Sequence, residues 1–192
     1  MNNIDKAIEI FNQGGIVIFP TDTAFGIGCR IDKEKSVKRL FKIRKRPESQ
    51  AVPVLVNSVE MAKDYLNEFP DAVLEKLVKP YWPGALTIVL PARLDMIPEL
   101  VRGNGSTIGV RMPNHPVILG IIGKIGVPVA GPSANFHGDK TPYNFKDLNP
   151  ELVSLVDYVL EGECTSLQAS TVIDCSTTPW SILRKGALEV NI

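Results

Sequence analysis

The sequence offers little for a metal centre or a disulfide framework. Its 192 residues include three cysteines, Cys29, Cys164 and Cys175, and two histidines, His115 and His137. The cysteines are far apart, odd in number and form no CxxC pair. That spacing argues against a zinc ribbon or a disulfide scaffold, and it suits a reducing cytoplasm. No protein-bound structural metal is expected. Charge of one sign is lacking too: 21 Lys and Arg balance 21 Asp and Glu. Gross electrostatics therefore point to no polyanion partner. No apolar run reaches the roughly 18 residues needed to span a bilayer. The opening "MNNIDKAIEIFNQGG" has neither the basic start nor the apolar stretch of a signal peptide. A cytoplasmic chain with no membrane contact is the expectation. Catalytic signatures are also missing. There is no Ser-His-Asp set, no HExxH helix and no Walker loop. "GNGSTIG" precedes a strand and opens no helix, so it is neither a P-loop nor a dinucleotide fingerprint. Both histidines sit in Pro/Gly loops, which suits surface or capping positions better than a general base.

What is present reads as one globular unit. Hydrophobic residues at 44% and charged residues at 22% are ordinary values. Ile4, Ile8 and Phe11 share a helical face that Gly14 and Gly15 terminate. "IVIF" is too short for a helix and reads as a buried strand. "DKEKSVKRLFKIRKRP" predicts a helix with Val37, Leu40 and Phe41 inward, ended by Pro47. "VPVLV" is a second strand. "SVEMAKDYLNEF" is a Ser-capped helix with Met61, Ala62, Tyr65 and Leu66 inward, and "DAVLEKLVK" is another helix. "ALTIVLPA" and "TIGVRMP" are strands, "HPVILGIIGKIG" a buried helix, and "VPVA" a strand. "YVLEG", "STVIDC" and "SILRKG" are short and strand-like. The expected fold is a single-domain α/β structure, a twisted mixed sheet with flanking helices.

Ligands of open α/β sheets collect at strand ends, and here those ends carry hydroxyls, amides and guanidinium groups but almost no base. "IVIF" runs into "PTDTAFGIG", "TIGV" delivers Arg111, "VPVA" delivers "GPSANFHGDKTP", Ser170 and Thr171 stand at "TVID", and "ILRKG" carries Arg184. Such an inventory suits an anionic ligand with a phosphate chain. Each feature also has a plain structural reading. "PTDTAFGIG" and "GPSAN" could be capped turns. The run Lys33 to Arg46, with eight Lys or Arg against one Glu, could be a solvated helix face, although its last three residues could point back over the sheet. Arg111 in an apolar strand must be paired or must reach a ligand.

Taken together, "FPTDTAFGIG", "RKRPESQAVPVLV", "YWPGALTIVL", "IGVRMPNHP", "GPSANFHGDKTP", "STVID" and "ILRKGAL" make the chain resemble the YrdC-like family of threonylcarbamoyl-AMP synthases over almost its whole length. The resemblance implies a single YrdC-like domain over 1–192, of the short form without an extra C-terminal domain. It implies synthesis of threonylcarbamoyl-adenylate from L-threonine, bicarbonate and ATP with loss of pyrophosphate, and magnesium accompanying the ATP. It also implies a tRNA or double-stranded RNA contact through a basic concave face, and a downstream complex that transfers the threonylcarbamoyl group to tRNA. A non-catalytic RNA-binding module associated with translation is the rival reading.

Residue by residue, the resemblance implies that Thr23, Leu55, Arg111, Gly131 and Ser170 line the threonine site. Arg46, Gln50, Thr107, Ser133, Thr141 and Arg184 would hold ATP. Arg44, Arg46, Ser133 and Asn135 match the cluster at the reactive centre. Five positions depart from the usual pattern: Arg44 replaces a lysine, Gln50 an asparagine, Ala51 a proline, Phe25 a tyrosine and Leu55 a histidine. The glycines of "PTDTAFGIG" are expected to let backbone approach substrate.

Overall fold

The computed structural model describes residues 3–190. Residues 1, 2, 191 and 192, part of the expected 1–192 domain, lie outside the described residues. Helix α1 (Asn3–Gln13) leads into β1 (Val17–Phe19). Its inner face is Ala7 and Phe11, while Ile4, expected inside, is exposed. Strand β2 (Gly26–Gly28) lies within the stretch read as a loop, and it pairs antiparallel with β1. Helix α2 (Glu34–Ile43) buries Val37, Leu40 and Phe41 as its periodicity requires. Strand β3 (Val54–Leu55) and helix α3 (Val59–Asp64) follow. The hydroxyl of Ser58 caps α3 by accepting from Met61 N.

Helix α3 is shorter than its pattern suggests, because the residues after it join the sheet. Tyr65 O accepts from Arg93 N, Asn67 N donates to Pro91 O, and Leu66 bridges Ala92. A continuous helical stretch comes next, α4 (Asp71–Val73), a π-helical segment (Leu74–Val78) and α5 (Lys79–Tyr81). The π turn directly precedes Pro80, which has no N–H for a regular i to i−4 bond. Strands β4 (Leu86–Pro91) and β5 (Thr107–Arg111), helix α6 (Pro116–Ile125) and strand β6 (Val129–Ala130) then form. Gly126, with φ of 69°, ends α6 in the left-handed region that favours glycine. The remaining elements are a 3₁₀ turn (Phe145–Asp147), α7 (Pro150–Ser154), β7 (Tyr158–Val159), β8 (Thr171–Asp174) and β9 (Ser181–Arg184).

The mixed α/β class stands, with the strands divided between two sheets. One has three strands in the order β2-β1-β7; the other has six in the order β6-β3-β5-β4-β8-β9. The two sheets meet where β2 approaches β6. Bridges join Gly26 to Ser133 and Arg30 to Val129. A Cβ on Gly28 would lie 1.8 Å from Ala130 O, and one on Gly26 would lie 2.7 Å from the Phe19 ring. The glycines of the first motif therefore serve strand-on-strand packing before any approach to substrate. Helices α1 and α6 pack beside each other, with Phe11, Ile118, Ile121, Ile122 and Ile125 in one apolar cluster. Each such side chain contributes about 1.5–3 kcal/mol when fully buried.

This topology brings strand ends of both directions to one place. β3 is parallel to β5, and β4 is antiparallel to β5 and parallel to β8. The carboxyl ends of β3 and β5 thus meet the amino ends of β4 and β8. Leu55 and Arg111 come from the former, Thr87 and Ser170 from the latter.

Candidate active site

A cavity opens at those strand ends. Its wall includes Thr21, Thr23, Phe25 and Gly26 of the first motif, together with Gly131 and Ser133 of the loop after β6. Four arginines reach it, Arg44, Arg46, Arg111 and Arg184, along with the hydroxyls of Thr87, Thr141 and Ser170. Among the described residues no carboxylate, histidine or cysteine lines it. The lone hydroxyl-rich motif is self-organised. Thr21 Oγ1 donates to Ala24 O and accepts from the amides of Thr23 and Ala24.

Two clusters make up the wall. The first surrounds Arg111, which is 6% exposed. Its Nε donates to Gly84 O at 2.9 Å, its Nη1 to Thr23 Oγ1 at 2.7 Å, and its Nη2 to the Asp22 carboxylate. Arg111 is thus paired, and it also lines the cavity. Burial pulls its pKa down, and Asp22 opposes that shift. Beside it, the Thr87 and Ser170 hydroxyls lie 2.9 Å apart, and Arg184 donates from Nε to Ser170 O and from Nη2 to Ser170 Oγ. Leu55 packs against Gly131, where a Cβ would lie 2.4 Å from the leucine side chain.

The second cluster surrounds Arg44, 3% exposed. Helix α2 ends there because Lys45 adopts φ of 52° and Arg46 N returns to Phe41 O. This reversal carries Arg44 and Arg46 into the cavity while Lys45 stands over the Phe136 ring. The end of the basic run is therefore a cavity wall, and Lys38 and Arg39 form surface ion pairs with Glu34 and Asp157. Arg44 Nε donates to Asn135 O, and its Nη2 lies 3.5 Å from Asn135 Oδ1. Its Nη1 is buried with no hydrogen-bond partner among the described residues. Burial, with Arg46 nearby, pushes the Arg44 pKa down to about 10. Arg46 is held by Gln50 O and Ala51 O.

Ten expected site residues meet at the cavity: Thr23, Leu55, Arg111, Gly131, Ser170, Arg44, Arg46, Ser133, Thr141 and Arg184. Three do not line it. Asn135 is buried behind the wall, its amide nitrogen donating to Phe136 O and Asp139 O. Gln50 is exposed and contributes its carbonyl to Arg46. Thr107 starts β5 opposite Pro91, at the far end of the strand from Arg111. Asp22 and Thr87 were not among the expected site residues. Thr87 had a signal, a hydroxyl inside the apolar run "ALTIVL"; Asp22 had only its place between two threonines. His115 precedes α6, and burial lowers its pKa; His137 is exposed, with Nδ1 3.4 Å from Arg46 Nη1. All three cysteines are free.

The family model that matches this chain is that of Sua5, YciO and YrdC, described as "Telomere recombination", over residues 9–186. The chain belongs to the Sua5/YciO/YrdC family. Among its relatives is a threonylcarbamoyl-AMP synthase of Pyrococcus abyssi, 33% identical over 96% of this chain and 54% of that protein. Another, from Xanthomonas axonopodis pv. citri, carries the same name and is 31% identical over 89% of this chain and 91% of its own length. The crystal structure of P. abyssi Sua5 complexed with L-threonine superposes with a TM-score of 0.91 at 32% identity, covering 97% of this chain and 55% of that one. The chain spans about half the length of the P. abyssi relative and nearly all of the Xanthomonas one. Family membership and α/β fold both agree with the resemblance carried by the seven motifs.

Proposed function

We propose that the chain is an L-threonylcarbamoyladenylate synthase, and that its cavity joins L-threonine, bicarbonate and ATP. The observation that carries this reading is the cavity's chemistry: among the described residues it has four arginines, six hydroxyl-bearing residues and no general base. The P. abyssi relative, which bears the name of this activity and was crystallised with L-threonine, supports it. In the proposed reaction the threonine amine captures bicarbonate as a carbamate with loss of water. A carbamate oxygen attacks the α-phosphorus of ATP, the bond to the β-phosphate oxygen breaks, and pyrophosphate leaves. No protein nucleophile is needed. The protein's tasks are to position the reactants and to stabilise charge on the phosphates.

Arg111 and Thr23 would hold the threonine carboxylate, with Gly131, Leu55 and Ser170 around the side chain. Arg44, Arg46, Ser133, Thr141 and Arg184 would hold the nucleotide, and the unpartnered Arg44 Nη1 is a donor awaiting an anion. Asn135 would act through Arg44, which it fixes. ATP would arrive as its magnesium salt. With no carboxylate on the wall among the described residues, phosphate oxygens and water would supply the ion's ligands. Gln50 would reach the nucleotide only through a rearrangement of its loop, and Thr107 would do so only if the nucleotide extended to the start of β5.

The reading treats residues 1–192 as one YrdC-like domain in the cytoplasm, contacting tRNA or double-stranded RNA and passing its product to a threonylcarbamoyl-transfer complex. Among the described residues no helix is long and apolar enough to cross a membrane. The deciding assay follows pyrophosphate release with each substrate omitted in turn. Release that needs both threonine and bicarbonate is expected. Absence of any threonine-dependent signal would leave a non-catalytic RNA-binding module.

A further inference from the structure

We propose that Asp22 is a positioning residue: from behind the cavity wall it holds the Arg111 guanidinium in the one plane that meets an amino-acid carboxylate. The proposal rests on reading the Arg111 cluster as the amino-acid site. Five N–H groups belong to a guanidinium. In Arg111 each of the three nitrogens has one bond, to Gly84 O, Thr23 Oγ1 and the Asp22 carboxylate. One donor on each Nη is left for a ligand, and three anchors from two chain segments, Asp22 and Thr23 on one and Gly84 on the other, stop the plane from turning.

Asp22 is itself fixed. Its backbone carbonyl accepts from Ser166 N at 2.8 Å and from Thr165 Oγ1 at 3.2 Å. The Asp22 and Arg111 side chains are each 8% exposed. Thr23 and Arg111 line the cavity, whereas Asp22 borders a separate hollow with Tyr81, Gly84, Asn114 and Thr165. The carboxylate therefore approaches the guanidinium from the side away from the cavity. Its charge has a second effect. A buried guanidinium without a counter-charge would accept any anion, and Asp22 disfavours a polyanion there while still permitting one carboxylate aligned with the two remaining donors. The phosphate chain is left to Arg44.

The test compares wild type with Asp22→Asn and Asp22→Glu. L-threonine and ATP are titrated separately by calorimetry. The arginine Nε–H resonance of Arg111, assigned by its loss in Arg111→Lys, is followed by NMR. In Asp22→Asn, threonine affinity should fall by about 10-fold or more, the scale of a lost charge-assisted bond. ATP affinity without threonine should change by less than about 2-fold, well within 1 RT. The resonance, sharp in wild type, should broaden. Asp22→Glu keeps the charge, and its threonine affinity should fall between the other two.

Unchanged threonine affinity and an unchanged resonance in Asp22→Asn would overturn the proposal. So would equal weakening of both substrates with a lowered melting temperature, which marks a merely structural role. If Asp22→Asn does not fold, Asp22→Glu decides: selective loss of threonine affinity supports positioning, and wild-type affinity overturns it. If wild type itself fails to bind L-threonine, the functional reading falls, and the NMR resonance alone decides whether Asp22 orients Arg111.

Discussion

Arg44 and Arg111 line one cavity and are nearly equally buried, at 3% and 6% exposure, yet they are held in opposite ways. Arg111 has a carboxylate, a hydroxyl and a carbonyl, one on each nitrogen. Arg44 has an asparagine carbonyl, a long contact to that residue's amide oxygen, and an Nη1 with no partner. Arg46, beside it, adds a second positive charge. The difference separates two uses of a buried cation. A compensated guanidinium is part of the fold and supplies geometry. An uncompensated one is a cost to the fold that only an incoming anion relieves.

The largest effect should come from replacing each arginine by methionine. Arg111→Met strands Asp22, and removing one partner of a buried pair costs about 3–5 kcal/mol. At roughly 2–4 °C per kcal/mol for a chain of this size, the melting temperature should fall by about 6–20 °C. Arg44→Met strands no carboxylate, so its melting temperature should hold or rise. Equal losses in two melting curves would erase the distinction between the clusters. The pH dependence sharpens it. A guanidinium pulled down from its ordinary value to about 10 is disfavoured in its charged form by the fold. That penalty is fully present below pH 10. It is relieved as pH rises above 10 towards the ordinary arginine value, where the unfolded chain still holds a proton that the folded chain has released. Any advantage of Arg44→Met over wild type should shrink across that window.

A middle-sized effect is expected from pyrophosphate. A ligand at 100 times its Kd stabilises a fold by about 2.7 kcal/mol, or roughly 5–10 °C here. Wild type and Arg111→Lys should both show that rise, and Arg44→Met should lose most of it. An undiminished rise in Arg44→Met would remove the phosphates from the Arg44 cluster.

The smallest effect tests the amino-acid end through packing alone. A Cβ at residue 131 would lie 2.4 Å from the Leu55 side chain. Gly131→Ala should cost about 1–3 kcal/mol by overpacking, and it should press Leu55 into the cavity, weakening threonine more than pyrophosphate. Leu55→Ala in the same chain should restore part of the stability. Denaturant curves for the single and double variants read this directly.

Much of the fold could be read along the chain. The periodicity of Val37, Leu40 and Phe41 places α2, Ser58 starts α3, Gly126 ends α6, and the apolar runs of β4 and β5 form strands where expected. These signals succeed because they report backbone geometry within a few residues. The stop of α3 at Asp64 was not legible, because Tyr65 to Asn67 are taken up by residues 91–93 of the sheet. Strand directions were hidden too, and Thr107, given to the ATP site by the family resemblance, starts β5 at the end away from Arg111.

The chemistry divides along the same line. Residue types and motif order pointed to a pocket near "PTDT", "GPSAN" and buried arginines, since charge in an apolar strand needs a partner wherever the chain goes. Which partner it finds was decided only in three dimensions. Asp22 meets Arg111 across 89 positions of sequence, and Asn135 meets Arg44 across 91. Gly28 is a glycine because Ala130 O approaches it, and nothing near Gly28 in the chain announces that. Local pattern fixes the conformation of a segment; the compensation of a buried charge depends on which distant segment the packing brings beside it.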